Sequence, residues 1–247
     1  MPINRKPLLL NRAIFVRRPF QATALTTLTT LIHRFPAAGT FEVFIRRDGS
    51  LLHRAPVHVA EGGIFQINID MAGSFDSIYS IAPGGALGFF VSAGEGAYSV
   101  SLDRITGRER ATVFDSTAGI PAGDLFAVTL VRTGRYRVID PANKIDGAIT
   151  VETPPAPPKR VERSARDASA PRQRFRPDQP TGVTIGKGEM KPKEVKIFAG
   201  QTVVFDCTVA ASLRIEPLDD PKPRAAAAAP PGKLRRTFPK ANKGGKG

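Results

Sequence analysis

The sequence has one cysteine, Cys207, and three histidines among its 247 residues. A lone thiol excludes an intrachain disulfide framework and any zinc site built from several thiolates, and so few imidazoles leave little for a histidine-rich metal centre. Long apolar runs are also missing: none approaches the ~20 residues needed to cross a bilayer. Met1 to Thr30 has charge scattered through it in place of the continuous apolar stretch of an export signal. The expectation is a chain with no membrane span, located in the cytoplasm. Acidic residues are the scarcer charge type, 22 Asp plus Glu against 36 Lys plus Arg, giving a formal charge of +14. What the sequence does contain is 22 Pro and 23 Gly, which argue for many turns and against a wholly helical protein, and a hydrophobic fraction of 41% with 15 Phe, enough to build a core.

The positive excess lies toward the C-terminus. Up to Glu152 there are 16 basic and 13 acidic residues, a net of +3, and after it 20 and 9, a net of +11. Residues 153–181 are rich in proline and arginine, with apolar residues too sparse to bury a face, and read as an extended linker. Residues 219–247 combine proline, alanine, glycine and lysine and read as a disordered basic tail. Arg160, Arg163, Arg166, Arg172, Arg174 and Arg176 of the linker are candidate contacts to a polyanion, as are Lys233, Arg235, Arg236, Lys240, Lys243 and Lys246 of the tail. Cations of this kind bind phosphates by releasing counterions, a mode tolerant of sequence and suited to nucleic acid. Only Phe175 and Phe238 interleave them, so base stacking is not indicated.

Elsewhere the dominant pattern is alternation. Phe41, Val43 and Ile45; Phe65, Ile67 and Ile69; Tyr98, Val100 and Leu102; Phe126, Val128 and Leu130; Tyr136 and Val138; and Ile149 and Val151 each recur at every second position. Such spacing puts them on one face of successive strands, with Glu42, Gln66, Asn68, Ser99, Ser101 and Asp103 on the other. Asp48-Gly49, Pro83-Gly84-Gly85 and Gly94-Glu95-Gly96 supply turns between them. The pattern predicts an all-β antiparallel sandwich over residues 1–152. Ala22 to Phe35 is undecided: its leucines fit a helical face, whereas its threonines favour strand and loop. Residues 182–218 repeat the alternation at Val195 and Ile197, at Val203, Phe205 and Cys207, and at Leu213 and Ile215. So small a set of strands does not fold alone, and it is expected to dock on the first domain.

Two stretches also resemble a known family. Gly123-Asp124-Leu125-Phe126 and the following VTLVRTGRYRVIDPANKIDGAITVE are similar to the closing strands of cupredoxins, with their aromatic-bearing strand, Gly-x-Tyr turn, ligand loop and final strand. KPKEVKIFAGQTVVFD is similar to the strand, glycine turn and strand that open that sandwich. The resemblance implies a cupredoxin-like Greek-key sandwich and a place in the cell envelope, an alternative to the cytoplasm. A type 1 copper site of that family needs a cysteine and then a histidine in the loop after Gly-x-Tyr. Aligning on Gly134 and Tyr136 puts Asp140 and Asn143 there, and DCTVAASLRI holds no histidine. The expectation is therefore a sandwich without type 1 copper and without a cofactor. A metal or redox site of a nonstandard kind near Asp140 and Asn143 is the remaining alternative in that chemistry.

Catalytic signatures are equally sparse. No Gly-x-Ser-x-Gly elbow or phosphate-binding loop is present. Asp70, Asp76, Asp115, Asp124 and Asp140 are scattered through turns, Cys207 alternates with core residues, and His53 and His58 have the odd spacing that sends them to opposite faces of a strand. The sequence thus points to a non-enzymatic binding or structural module with an unidentified protein partner. The alternative partner is an anionic polymer such as nucleic acid.

Overall fold

The computed structural model of the protein describes residues 19–155 and 179–218. Among these residues there is no helix; the chain forms fifteen strands. In order, the first part contributes β1 (Phe20–Gln21), β2 (Thr29–Arg34), β3 (Gly39–Arg47), β4 (Ser50–Asp70) and β5 (Tyr79–Phe90). These are followed by β6 (Tyr98–Thr106), β7 (Glu109–Asp115), β8 (Leu125–Leu130), β9 (Gly134–Asp140) and β10 (Ile145–Glu152). The second part adds β11 (Thr181–Gly186), β12 (Glu189–Lys191), β13 (Glu194–Phe198), β14 (Gln201–Cys207) and β15 (Arg214–Pro217).

Five strands form one sheet, in the order β1-β15-β9-β10-β13, and ten form the other, β12-β11-β14-β8-β2-β5-β4-β3-β6-β7. The inward residues of both sheets join in one core, with Phe35, Phe89, Phe126 and Phe205 among its largest fully buried side chains. This is the β-sandwich expected from the alternation. Most neighbouring strands are antiparallel, but β4–β5, β10–β13 and β11–β14 run parallel. Parallel neighbours cannot be joined by a tight hairpin. Each of these pairs is separated in the chain by a crossover, which the turn signals did not reveal.

Residues 182–218, read from the sequence as a small docked segment, enter both sheets. β14 lies antiparallel to β8, β13 parallel to β10, and β15 antiparallel to β9. The physical reason is the one that keeps few strands from folding alone: their backbone donors and acceptors need partners on both sides. Of the linker read over residues 153–181, residues 153–155 and 179–180 are described and Thr181 opens β11; the rest of it, and residues 219–247, lie outside the described residues.

The undecided segment resolves into turns and short bridges followed by strand β2. Asp48 and Gly49 both have positive φ, 49° and 82°, the two left-handed residues of a tight hairpin joining β3 to β4. β4 and β5 shift register around Ile64, and Gly63 and Gly85 sit at that shift because a Cβ on either would lie 2.3 Å from the Ile81 carbonyl carbon or 2.5 Å from the Phe65 carbonyl oxygen. One inward expectation fails here. Phe65 is 68% exposed, because the register shift carries it away from the core that Ile69 still reaches.

The outer face of β3 is less wet than alternation implies. Glu42 is buried, receiving Arg54 Nε at 2.6 Å on one carboxylate oxygen and Arg110 Nη1 on the other. Phe44 beside it lies under two guanidinium groups, Arg46 at 5.6 Å and Arg54 at 5.5 Å from the ring centroid. Arg46 also donates to Ser101 Oγ at 2.8 Å, which ties β3 to β6. Burial alone raises the Glu42 carboxyl pKa, but the hydrogen bonds from Arg54 and Arg110 outweigh it and hold the group below its ordinary value. A depressed carboxylate stabilises the fold above the pKa of the unfolded chain, and that stability disappears as the pH falls through the folded-state value. Glu42→Gln is expected to lower stability by about 1–2 kcal/mol at neutral pH in urea unfolding, with the difference from wild type shrinking as the pH falls below the ordinary glutamate range and through the depressed folded-state value. A difference that stays constant with pH would assign the loss to packing instead of charge.

Candidate functional site

Asp140 and Asn143, the positions aligned with copper ligands, do come together, but as a turn staple. Asp140 closes β9 and is fully buried. Its Oδ1 accepts the Ala142 and Asn143 amides at 3.1 and 3.3 Å, and its Oδ2 accepts Asn143 Nδ2 at 2.7 Å and the Ser212 amide at 3.0 Å. Asn143 Nδ2 also donates to the Ala210 carbonyl at 2.7 Å. Both carboxylate oxygens are thus engaged in joining the β9–β10 turn to the loop before β15. A type 1 copper ion needs a thiolate and imidazoles, and a carboxylate and an amide already committed to hydrogen bonds do not fit it. Among the described residues no three side chains of His, Cys, Asp or Glu converge as a metal site.

Cys207, at the end of β14, is fully buried with Phe205 and Val203 on the same strand face. Burial pushes its thiol up to about 12, and the charges of Asp206, Asp124 and Asp140 add to that shift. His53 and His58 lie on β4, His58 exposed and His53 stacked on Phe75 with ring centroids 4.4 Å apart.

The buried polar pair that sequence reasoning missed is His33 with Asp124. His33 Nδ1 lies 2.7 Å from Asp124 Oδ2, and the Arg34 amide donates to Asp124 Oδ1 at 3.0 Å. Phe114 stacks on the imidazole at 4.8 Å and Phe35 meets it edge-on at 4.9 Å. The parity of Leu31 and His33 along β2, continued by Phe35 just past its end, was the available signal, since it turns His33 inward where it must find a partner. An imidazole held by a buried carboxylate forms two parts of a hydrolytic triad. Among the described residues the hydrogen bond of this imidazole is to Asp124, and none to a hydroxyl or thiol accompanies it. The pair instead fastens the end of β2 to the start of β8.

The twelve linker and tail cations singled out above all lie outside the described residues. The described body nevertheless changes their meaning. It contains 16 basic and 17 acidic residues, a net of −1, so the residues outside it hold 20 basic and 5 acidic, a net of +15. That excess divides over three segments: +5 in residues 1–18, +4 in 156–178 and +6 in 219–247. Arg5, Lys6, Arg12, Arg17 and Arg18 were missed because a division at Glu152 counts them with the strands, although no acidic residue accompanies them in residues 1–18. No known protein family, curated protein or solved structure matches the chain.

Two outcomes test the structural roles assigned here. Asp140→Ala leaves three backbone amides and the Asn143 side chain short of an acceptor, and is expected to cost about 2–4 kcal/mol in denaturant unfolding. Cys207 should resist a thiol-specific disulfide reagent at mildly alkaline pH in the native protein and react fully in guanidinium; rapid reaction of the native protein would contradict its burial.

Proposed function

We propose that the protein is a non-enzymatic module that binds a polyanion, with nucleic acid as the partner class, through basic segments carried by a β-sandwich body without a type 1 copper centre. The observation that carries this reading is the partition of charge: a net of −1 on the described body against +15 outside it. A general proteome bias toward arginine would raise the charge of the body as well, and it does not. Arginine supplies 13 of the 20 cations outside the body, and its planar guanidinium engages phosphate oxygens in pairs.

The non-enzymatic part of the reading is supported by what the buried polar groups do. Asp140 and the His33–Asp124 pair each hold loops and strand ends together, and Cys207 has the raised pKa of an inert thiol.

Binding of this kind weakens steeply with salt, with a log–log slope of roughly −0.7 per phosphate contacted on a single strand. Titrating the full chain into a labelled single-stranded DNA at several salt concentrations is expected to show such a slope. Deleting residues 219–247, which carry 8 of the cations, should make it shallower and lower the affinity. Equal retention of the full and truncated chains on a polyanion column, or no binding at low salt, would dismiss the reading.

A further inference from the structure

The sheet register fixes where the three basic segments join the body. β10 ends beside the start of β9, with Val151 opposite Gly134, and the Ala199 amide donates to the Glu152 carbonyl at 2.9 Å. Residues 153–155 therefore leave at that end. β15 runs antiparallel to β9, so its exit is there too: the Leu218 amide donates to the Arg135 carbonyl at 2.9 Å. β1 pairs Phe20 with Ile215, which sets Pro19 beside the last residues of β15. In the other sheet, β11 begins with Thr181 opposite Val203, two residues from Gln201, whose partner is Leu130 at the end of β8. The chain from Leu130 to Gly134 links the two sheets at this same end. Pro19, Pro155, Gln179 and Leu218, the described residues from which the three basic segments continue, therefore all lie toward one pole of the sandwich.

The body itself presents cations at that pole. Arg132 lies in the β8–β9 turn, which the Tyr136 hydroxyl braces by donating to the Arg132 carbonyl at 3.1 Å. Arg135, Thr150 and Lys196 are directly opposite one another across β9, β10 and β13, so they share the outer face, with Arg135 and Lys196 about 10 Å apart at the usual strand spacing. Arg132, Arg135 and Lys196 are exposed and make no ion pair among the described residues. Their neighbours further along the same face are neutralised, Arg137 by Asp146 in a bidentate pair of 2.7 and 2.8 Å and Arg214 by Glu216. The acidic residues nearest in the register are Glu194, two positions before Lys196 on the same face of β13, and Glu152, two positions past Thr150, which leaves the group of Arg132, Arg135, Lys196, Glu152 and Glu194 with a net charge of +1.

We infer that the phosphate backbone of a nucleic acid docks on this pole, with Arg132, Arg135 and Lys196 as fixed contacts at the point where all three basic segments meet the body. The inference rests on the function proposed above. A strand held on these rigidly placed cations is presented to every segment at high local concentration, so the contacts act together.

The test uses the full chain and a fluorescent 30-nucleotide single-stranded DNA, with heparin measured in parallel. Arg132→Gln with Arg135→Gln removes two cations from the pole. Lys144→Asn with Lys187→Gln removes two from turns at the opposite ends of β9 and β11, Asn being tolerant of the positive φ at Lys144. The pole pair is expected to lower DNA affinity roughly tenfold near physiological salt and to make the salt slope shallower by about 1.4, with a change under about twofold for the control pair. Equal losses from the two pairs would overturn the inference by showing that net charge alone matters. An unaffected pole pair, in a protein whose DNA binding still falls when residues 219–247 are deleted, would overturn it while sparing the proposed function. Loss of heparin binding without loss of DNA binding would also overturn it, by making a sulfated polysaccharide the partner. Unchanged far-ultraviolet circular dichroism and melting temperature of both variants keep misfolding from imitating the expected result.

Discussion

The fold depends on backbone pairing between strands far apart in the chain. β8, β9 and β10 each use one edge on a strand from the second part: β14, β15 and β13. Without those partners the middle of the five-stranded sheet would present open edges, and Val195, Ile197, Val203, Phe205 and Ile215 would have no core to enter. Burial of a side chain of this size contributes about 1.5–3 kcal/mol, so the second part is a requirement of the sandwich and not an ornament on it. It also explains why two sheets share one core built from both parts of the chain.

The polar groups are sorted by that architecture. At one end, where β9 turns into β10, β14 ends and β8 begins, Asp140 and Asp124 are buried and committed to local hydrogen bonds. These groups stabilise connections that have little regular pairing of their own, and leaving their donors unpaired would cost more than the bonds themselves contribute. Toward the other end lie the unpaired cations Arg132, Arg135 and Lys196. Between the two, along the outer face of the small sheet, Arg137 is matched by Asp146 and Arg214 by Glu216. An exposed pair of that kind adds little stability, but it cancels the field there and leaves the pole as the positive end of the face.

Much of this was legible in the residue pattern. Strands β9, β10, β13 and β14 follow the alternation residue by residue, β3, β6 and β8 follow it in their inward residues but also bury Glu42, Ser101 and Ala127, and Asp48-Gly49 makes the hairpin that its two residues specify. The pattern was silent where long-range geometry decides. His33 and Asp124 are 91 positions apart, so nothing local advertises their contact. The parallel neighbours β4 and β5 depend on a crossover and a register shift that glycines at 63 and 85 permit but do not announce. Glu42 looked like an ordinary outward carboxylate because the arginines that cover it come from β4 and β7. The positive segments were legible as composition, while their meeting at one pole is a property of register that no stretch of sequence contains.

β10 and β13 lie side by side although one belongs to the first part of the chain and the other to the second. Residues 156–178 join two parts of the chain that are also held together non-covalently by four pairs of strands, so the covalent link duplicates a non-covalent one. A single proteolytic nick there would yield two fragments that stay together as one particle, separable by denaturant and not by dilution. The gene could accordingly be divided at that stretch, and the two halves, synthesised apart, would reconstitute the same sandwich.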